Sequence, residues 1–379
     1  MLTPWLDLPG AEARIRWLSA VSGLDLLRLG TTADADEIQD TAVTQPLIVA
    51  LGLLAAAELK PHEVTVAAGH SVGELTAAAV AGVFTPEATI ALARLRGQQM
   101  AAACALAPTG MSAVLGGDPD QVVARIEECG LVPANRNGAG QVVAAGSRDG
   151  LAELADRPPT GAKVKPLRVA GAFHTPYMAT AEEALAGVAG GVTARDPDWL
   201  LLSNSDGTAV ASGPEVVDRL VHQLTRPVRW DLCQATLRDL GVTSVVELPP
   251  AGTLAGLAKR ELPGVQVLAV KTPDDLVAAQ ALLTRTGHGG QGEHTPDWRV
   301  VVAPAGGTFH PMALDEGMHV PARTPLGTVR TKREEHQVTA AYHSVLVEWL
   351  LEDGDLVDLG EPVARLYPVP AGRPVGGAA

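Results

Sequence analysis

The chain of 379 residues is too long for one compact core, so two or more units are expected, and 46% apolar against 19% charged residues excludes a disordered chain. A net charge of −14 argues against nucleic acid or an anionic membrane as partner. Three scattered cysteines (Cys104, Cys129, Cys233) without a Cys-x-x-Cys spacing, and an N-terminus lacking the basic start and apolar run of a signal peptide, point to a reducing cytoplasm.

In chain order, the first strongly helical stretch is Thr44–Leu59, with Pro46 tolerated in its first turn. Val64–Ala68 reads as a buried strand ending in Gly69, and Val72–Ala81 as a helix closed by Gly82, which together make half of an α/β unit. Thr85-Pro86-Glu87 starts another helix, with Thr85 as cap. Between residues 111 and 172 the rhythm changes: strand Met111–Leu115, helix Pro119–Glu128, strands Leu131–Ala134 and Gln141–Ala145, helix Asp149–Ala155, strand Lys163–Val169. That βαββαβ order is the ferredoxin-like pattern, set into a larger α/β body. The body resumes with strands Leu200–Ser203 and Ser244–Leu248 and helices Gly213–Gln223 and Asp231–Leu240. Residues 1–286 therefore form a parallel-sheet, hydrolase-like α/β unit. Residues 287–298, rich in Gly and polar residues, read as a tether. Residues 299–367 carry many short β-like runs (Arg299–Ala303, Gly327–Arg330, Gln337–Ala341, Val345–Leu350, Val363–Leu366) and read as an all-β module, and 368–379 as a disordered tail. No segment approaches the ~18 consecutive apolar residues of a membrane span.

Gly69-His-Ser-Val-Gly73 matches the G-x-S-x-G elbow, which places a serine on a sharp strand-to-helix turn. Small residues on both sides let the chain turn tightly. The helix N-terminus aims free N–H groups at a developing oxyanion, with the Val72 N–H as first donor. The alternative is an ordinary turn capped by Ser71. A nucleophilic hydroxyl needs a base, and His174 in Gly171-Ala-Phe-His-Thr-Pro176 is the candidate, against a plain turn histidine. His70 adjoins Ser71 as support, and His222 reads as a surface residue of a helix.

Gly69-His-Ser-Val-Gly-Glu74, Arg96-Gly97 followed by Met100, Asn135-x-Asn137-x-x-x-Gln141, Gly171-Ala-Phe-His174 and Gly252-Thr-Leu-Ala-Gly-Leu257 resemble, in this order, the malonyl-CoA:acyl-carrier-protein transacylases and their polyketide acyltransferase relatives. The resemblance covers residues 2–282. It implies acylation of Ser71 by malonyl-CoA, with His174 as general base and then acid, and passage of the malonyl group to the phosphopantetheine thiol of an acyl carrier protein in fatty-acid or polyketide synthesis. An acidic carrier needs a local basic patch, for which Arg226, Arg229, Lys259 and Arg260 are candidates unless they form a plain solvated face. Arg96 would hold the malonyl carboxylate bidentately, or else be an exposed helix arginine. Phe173 would leave little room for an α-methyl group. Asn137 and Gln141 would contact the thioester arm or serve core hydrogen bonding. No metal or organic cofactor is implied, and the imidazole is expected to be oriented by a backbone carbonyl. The chain departs from the family in two places. The segment after Met1 corresponds to the stretch just past the family's first strand and Gly-Gln-Gly-x-Gln loop, so the true start is expected upstream. Pro249-Pro-Ala-Gly252 replaces a Gly-Pro-Gly in the loop expected to orient His174. The elbow alone also suits a serine thioesterase or hydrolase, and the departures suit a non-catalytic scaffold.

Ala303–Thr308, Gly317–Leu326 and Glu352–Pro362 resemble the two quasi-symmetric halves of a biotinyl/lipoyl carrier domain. There the modified lysine stands five residues before a valine. Five before Val338 is Arg333, and Lys332 is one position early, which turns its side chain to the other face of a hairpin. No biotin or lipoyl attachment is expected.

Overall fold

The computed structural model describes residues 1–59, 66–287, 299–331 and 334–368. The expected tether past Gly287, the hairpin tip with Lys332 and Arg333, the tail past Pro368 and the start of the Val64–Ala68 strand lie outside the described residues. The chain divides into two compact units, Met1–Gly289 and Gly290–Ala379.

The first unit opens with helices α1 (Ala11–Ser22), α2 (Leu26–Thr31) and α3 (Ala35–Gln39), the last two capped by the Asp25 and Asp34 carboxylates. Helix α4 (Thr41–Leu59) starts three residues earlier than expected, which moves Pro46 beyond the first turn. The Ala42 carbonyl that Pro46 cannot reach is instead taken by Arg94 Nη1 at 3.0 Å. By length and composition this helix could cross a membrane, yet 67% of its most apolar window is buried inside the unit, as befits a core helix. Strand β1 (Val66–Ala68), helix α5 (Gly73–Val80) and helix α6 (Pro86–Cys104), capped by Thr85, come next, in the order the sequence predicts. After them stand β2 (Thr109–Gly116), α7 (Pro119–Glu128), β3 (Val132–Gly138), β4 (Gln141–Ser147), α8 (Arg148–Asp156) and β5 (Ala162–Pro166). The body returns with α9 (Ala179–Ala189), β6 (Leu200–Leu202), β7 (Ala209–Val210), α10 (Gly213–His222), β8 (Val228–Arg229), α11 (Trp230–Asp239), β9 (Ser244–Glu247), α12 (Thr253–Glu261), β10 (Gln266–Ala269) and α13 (Leu276–Gly287).

The inserted strands form a five-stranded sheet in the order β5-β2-β4-β3-β8. Its four own strands run antiparallel in the order fourth, first, third, second, and β8 from the body joins β3 in parallel. Helices α7 and α8 bury Val122, Ile126 and Leu154 against Val114, Val142 and Ala144 of this sheet. The body differs from the single parallel sheet expected. Strand β1 pairs in parallel with β6, but β7 adds antiparallel, and β9 with β10 forms a separate parallel pair. These strands are too short for a long ladder. Val66, Ala68, Val245 and Val267 from the two sheets meet through side chains in one apolar cluster with Leu202, Trp230 and Leu257.

The second unit contains β11 (Arg299–Val302), β12 (Gly307–Pro311), β13 (His319–Val320), β14 (Pro325–Arg330), β15 (Glu335–Thr339), β16 (Ser344–Trp349), β17 (Leu356–Val357) and β18 (Pro362–Pro368). They make two four-stranded sheets, β11-β18-β16-β13 and β15-β14-β12-β17, closed over a core that includes Phe309, Leu326, Val329, Leu346 and Leu366. The repeated Gly-x-x-Val motifs fold alike. Val320 and Val357 are both buried ends of two-residue strands, pairing with β16 and β12 respectively. Strands as short as β13 and β17 lack the alternation that marks the longer ones, so neither is visible in the sequence. Strand β12 is also hidden there, because its ends are Gly307 and Pro311, residues that read as turn.

Candidate active site

Ser71 occupies the turn between β1 and α5 with φ +53°, the left-handed region that a non-glycine residue adopts only when its surroundings impose it. Gly69 permits the turn, since a Cβ there would stand 2.1 Å from the Gly73 carbonyl oxygen. Gly73 plays no such part; a Cβ on it would meet nothing within 4 Å. The Val72 N–H, at the N-cap of α5, has no acceptor among the described residues. Strand β6 runs parallel to β1 with Ala68 beside Leu202, and this register carries Asn204 alongside the elbow. Asn204 Oδ1 accepts the Ser71 N–H at 2.7 Å, and Asn204 Nδ2 donates to the Gly69 carbonyl at 2.6 Å.

His174 also has a positive φ, +59°. Its turn is held by Thr175 Oγ1, which donates to the Ala172 carbonyl at 2.6 Å, and by Thr109 Oγ1, which accepts the Ala172 N–H at 3.0 Å. Gly171 lets the turn lie against α6: a Cβ there would come within 2.6 Å of Cys104 Sγ. The result brings His174 Nε2 to 2.7 Å from Ser71 Oγ, across 103 positions of sequence. His174 Nδ1 donates to the Gln223 carbonyl at 2.8 Å. A backbone carbonyl therefore orients the ring, as expected, but it comes just after α10 and does not belong to the 249–252 loop. That loop is tied instead to Glu247, whose carboxylate accepts the N–H groups of Gly252, Leu254 and Ala255.

Arg96 is 2% exposed, not the surface helix arginine held open as an alternative. Gly97 brings α6 close to α4, since a Cβ there would be 2.7 Å from the Thr41 carbonyl oxygen. Gln45 of α4 then accepts from Arg96 Nη1 at 2.6 Å, and Gln223 Oε1 from Nη2 at 2.7 Å, with Ser71 Oγ 3.4 Å from Nη2. Arg96 Nε is buried without a partner among the described residues. Leu75, Phe84, Leu92, Leu185 and Val221 line an apolar cavity that Arg96 borders. The guanidinium is thus held by neutral amides and stands ready for an anion. Burial lowers it to about 10, so it stays charged at neutral pH. Burial, then the Arg96 charge, pushes His174 down to about 3, so its imidazole is neutral and free to accept the Ser71 proton. Glu74, one turn beyond Ser71 and 4% exposed, accepts from the Asn204 N–H at 2.9 Å and from Gln223 Nε2; burial raises it to about 7.

The remaining candidates form a neighbouring chain. His70 Nε2 contacts Asn137 Oδ1 at 2.8 Å, and Asn137 Nδ2 donates to Gln141 Oε1 at 3.0 Å. These groups are spent largely on one another, and His70 also stacks edge-on against Trp230. Phe173 is half-buried and packs against two apolar clusters, one holding Met100 and one Met111. His222 is half-buried rather than surface, 2.7 Å from Glu182 and 3.4 Å from Asp218. Arg229 pairs with Asp231, which withdraws it from the supposed basic patch, while Arg226, Lys259 and Arg260 are exposed. Gln45, Asn204 and Gln223 give no signal in the motifs. Asn204 is the most accessible of them to sequence reasoning, as a polar residue directly after a buried strand, where α/β sheets build their sites.

Residues 13–272 match the family described as the acyl transferase domain. The chain is 56% identical over 284 residues to the malonyl CoA-acyl carrier protein transacylase of Mycolicibacterium smegmatis, a match covering 73% of this chain and 98% of that protein. The crystal structure of MCAT from Mycobacterium tuberculosis superposes with a TM-score of 0.72 at 55% identity, covering 74% of this chain and 94% of that one. A malonyl-transacylase solved in complex with a holo type II PKS acyl-carrier protein matches with a TM-score of 0.71 at 28% identity, again over 74% of this chain and 94% of that one.

Proposed function

This chain belongs to the malonyl-CoA–acyl carrier protein transacylases of the acyl transferase family, and we propose that it moves the malonyl group of malonyl-CoA through an ester on Ser71 to the phosphopantetheine thiol of an acyl carrier protein. The carrying observation is the 2.7 Å approach of Ser71 Oγ to a neutral His174 beside an arginine with no carboxylate partner among the described residues.

Ser71 Oγ attacks the thioester carbonyl as its proton passes to His174 Nε2. The Val72 N–H faces the developing oxyanion, and Arg96 fixes the distal carboxylate so that the carbonyl meets the serine. The buried imidazolium, disfavoured by the Arg96 charge, gives its proton to the departing CoA thiolate. The second half runs in reverse: His174 takes the proton of the pantetheine thiol, the thiolate attacks the Ser71 ester, and the serine recovers its proton. Acetyl-CoA leaves Arg96 unpaired and is a poor substrate. Phe173 restricts the α-carbon and favours malonyl over methylmalonyl groups, and Asn137 with Gln141 borders the thioester arm.

The βαββαβ order of the insert reads as ferredoxin-like, and the paired sheets of residues 299–367 as a biotinyl/lipoyl-like fold without an attached group, kept for docking or structure. Supporting this are the repeated Gly-x-x-Val strands and the absence of a lysine five positions before Val338. A cytoplasmic setting is supported by the free thiols of Cys104, Cys129 and Cys233.

The test is incubation with labelled malonyl-CoA, with and without holo carrier protein. Label passed to the carrier thiol is the expected outcome. Release to water at the same rate in both tubes would make the chain a hydrolase, and no label on protein would make it a scaffold.

A further inference from the structure

The buried carboxylate of Glu74 has no part in the steps above. It stands behind Gln223, whose side-chain oxygen accepts from Arg96 Nη2 and whose side-chain nitrogen donates to Glu74 Oε2. One amide therefore separates Glu74 from the guanidinium that would receive the substrate carboxylate. With Glu74 ionised, the unliganded site is balanced, one buried negative group against one buried positive group. Seating a malonyl carboxylate on Arg96 adds a second negative charge to the same buried region, where like charges do not both stay ionised cheaply.

We propose that Glu74 is a positioning residue that takes a proton from solvent as the substrate carboxylate seats on Arg96, keeping the buried charge balanced while it continues to hold Asn204 and Gln223. This rests on the malonyl-transfer reading. Only an O–H bond forms, and no co-reactant is needed. A proton on the oxygen facing Gln223 reverses that hydrogen bond: the amide oxygen leaves Arg96 Nη2 for Glu74, and the amide nitrogen leaves the Ser71 carbonyl, so that Arg96 Nη2 and the amide N–H both lose their present acceptors and take the incoming carboxylate in their place. The other groups around Glu74 keep their charge. Arg96 on α6, at about 10, remains a cation, and His174, at about 3, remains neutral. The Cys233 thiol on α11 is raised by burial and by Glu74 itself, and His70 is lowered by burial, so neither is charged at neutral pH. Ser203, Asn204 and Gln223 are neutral. Glu74, raised by burial to about 7, is the group able to change.

The experiment is calorimetric titration of malonyl-CoA into the full-length Ser71→Ala protein, where no turnover intervenes, in buffers of different ionisation heat at pH 7 and pH 8. The expected result is uptake of about half a proton per site at pH 7 and about one at pH 8, with affinity falling toward tenfold weaker per unit above that. Adding Glu74→Gln should abolish the uptake and flatten the pH dependence, a change that a merely structural loss would not produce. Tight binding with buffer-independent heat would overturn the proposal and leave the malonyl reading intact. No binding of malonyl-CoA at either pH would overturn both. Should the double variant fail to fold, the proton count on Ser71→Ala alone decides.

Discussion

Gln223 reaches His174 through its carbonyl and Arg96, Ser71 and Glu74 through its side chain. Replacing it with alanine removes the second set and spares the first. Gln223→Ala should therefore raise KM for malonyl-CoA more than it lowers kcat, by about 1–3 kcal/mol in kcat/KM, and steady-state kinetics checks the split. Two titrating groups oppose each other in stability. His174, neutral when folded, contributes stability that is present above its ordinary 6.5 and lost as pH falls toward about 3. Glu74 does the reverse: its contribution is full below 4.5 and lost as pH rises through about 7. Between 4.5 and 6.5 the two slopes, each about 1.4 kcal/mol per pH unit, cancel. Glu74→Gln should expose the His174 slope, so that the variant gains stability from pH 4.5 to 6.5 relative to wild type in urea titrations; parallel curves would contradict this. At this scale Ser71, His174 and Arg96 were legible because each sits in a motif whose chemistry demands its residue type. Gln45, Asn204 and Gln223 were not. Neutral amides carry no charge or nucleophile to flag them, and Gln223 reaches Ser71 across 152 positions.

At the scale of elements, the elbow is a matter of where α5 can start. Gly69 and Gly73 look equivalent in the motif but differ in space, since only Gly69 faces backbone at contact distance. Gly69→Ala should displace the start of α5 and cost stability and activity together, by several kcal/mol with overpacking of rigid backbone. Gly73→Ala should leave stability within about 1 kcal/mol, an outcome that thermal melts of the two variants compare directly. Helices α4 to α8, α10 and α11 and the strands with clear alternation were legible in the sequence to within a few residues. Helices α1, α9 and α12, which have no side-chain cap to mark their start, the short α2 and α3 and the two-residue strands β7, β8, β13 and β17 escaped, because a missing cap gives no start signal and a single turn or a pair of ladder bonds carries no period. The parallel body was legible as a class but not as two separate sheets, since nothing in an apolar run says where its hydrogen bonding stops.

For the whole molecule, each unit owns a separate apolar core, with Phe309, Leu326 and Leu366 in the second and Trp5, Leu47 and Leu54 in the first. Scanning calorimetry should show two transitions, and malonyl-CoA should raise only that of the first unit. A single transition shifted as one would contradict independent cores. Every step of the proposed transfer requires the Ser71 hydroxyl to be the acyl acceptor. The most direct measurement of that role is the mass of the intact protein and of its Ser71 peptide after brief exposure to malonyl-CoA. One malonyl adduct is expected on the Ser71 peptide, lost when holo carrier protein is added and missing in Ser71→Ala. Undiminished labelling of Ser71→Ala, or an adduct mapped to another residue, would contradict it.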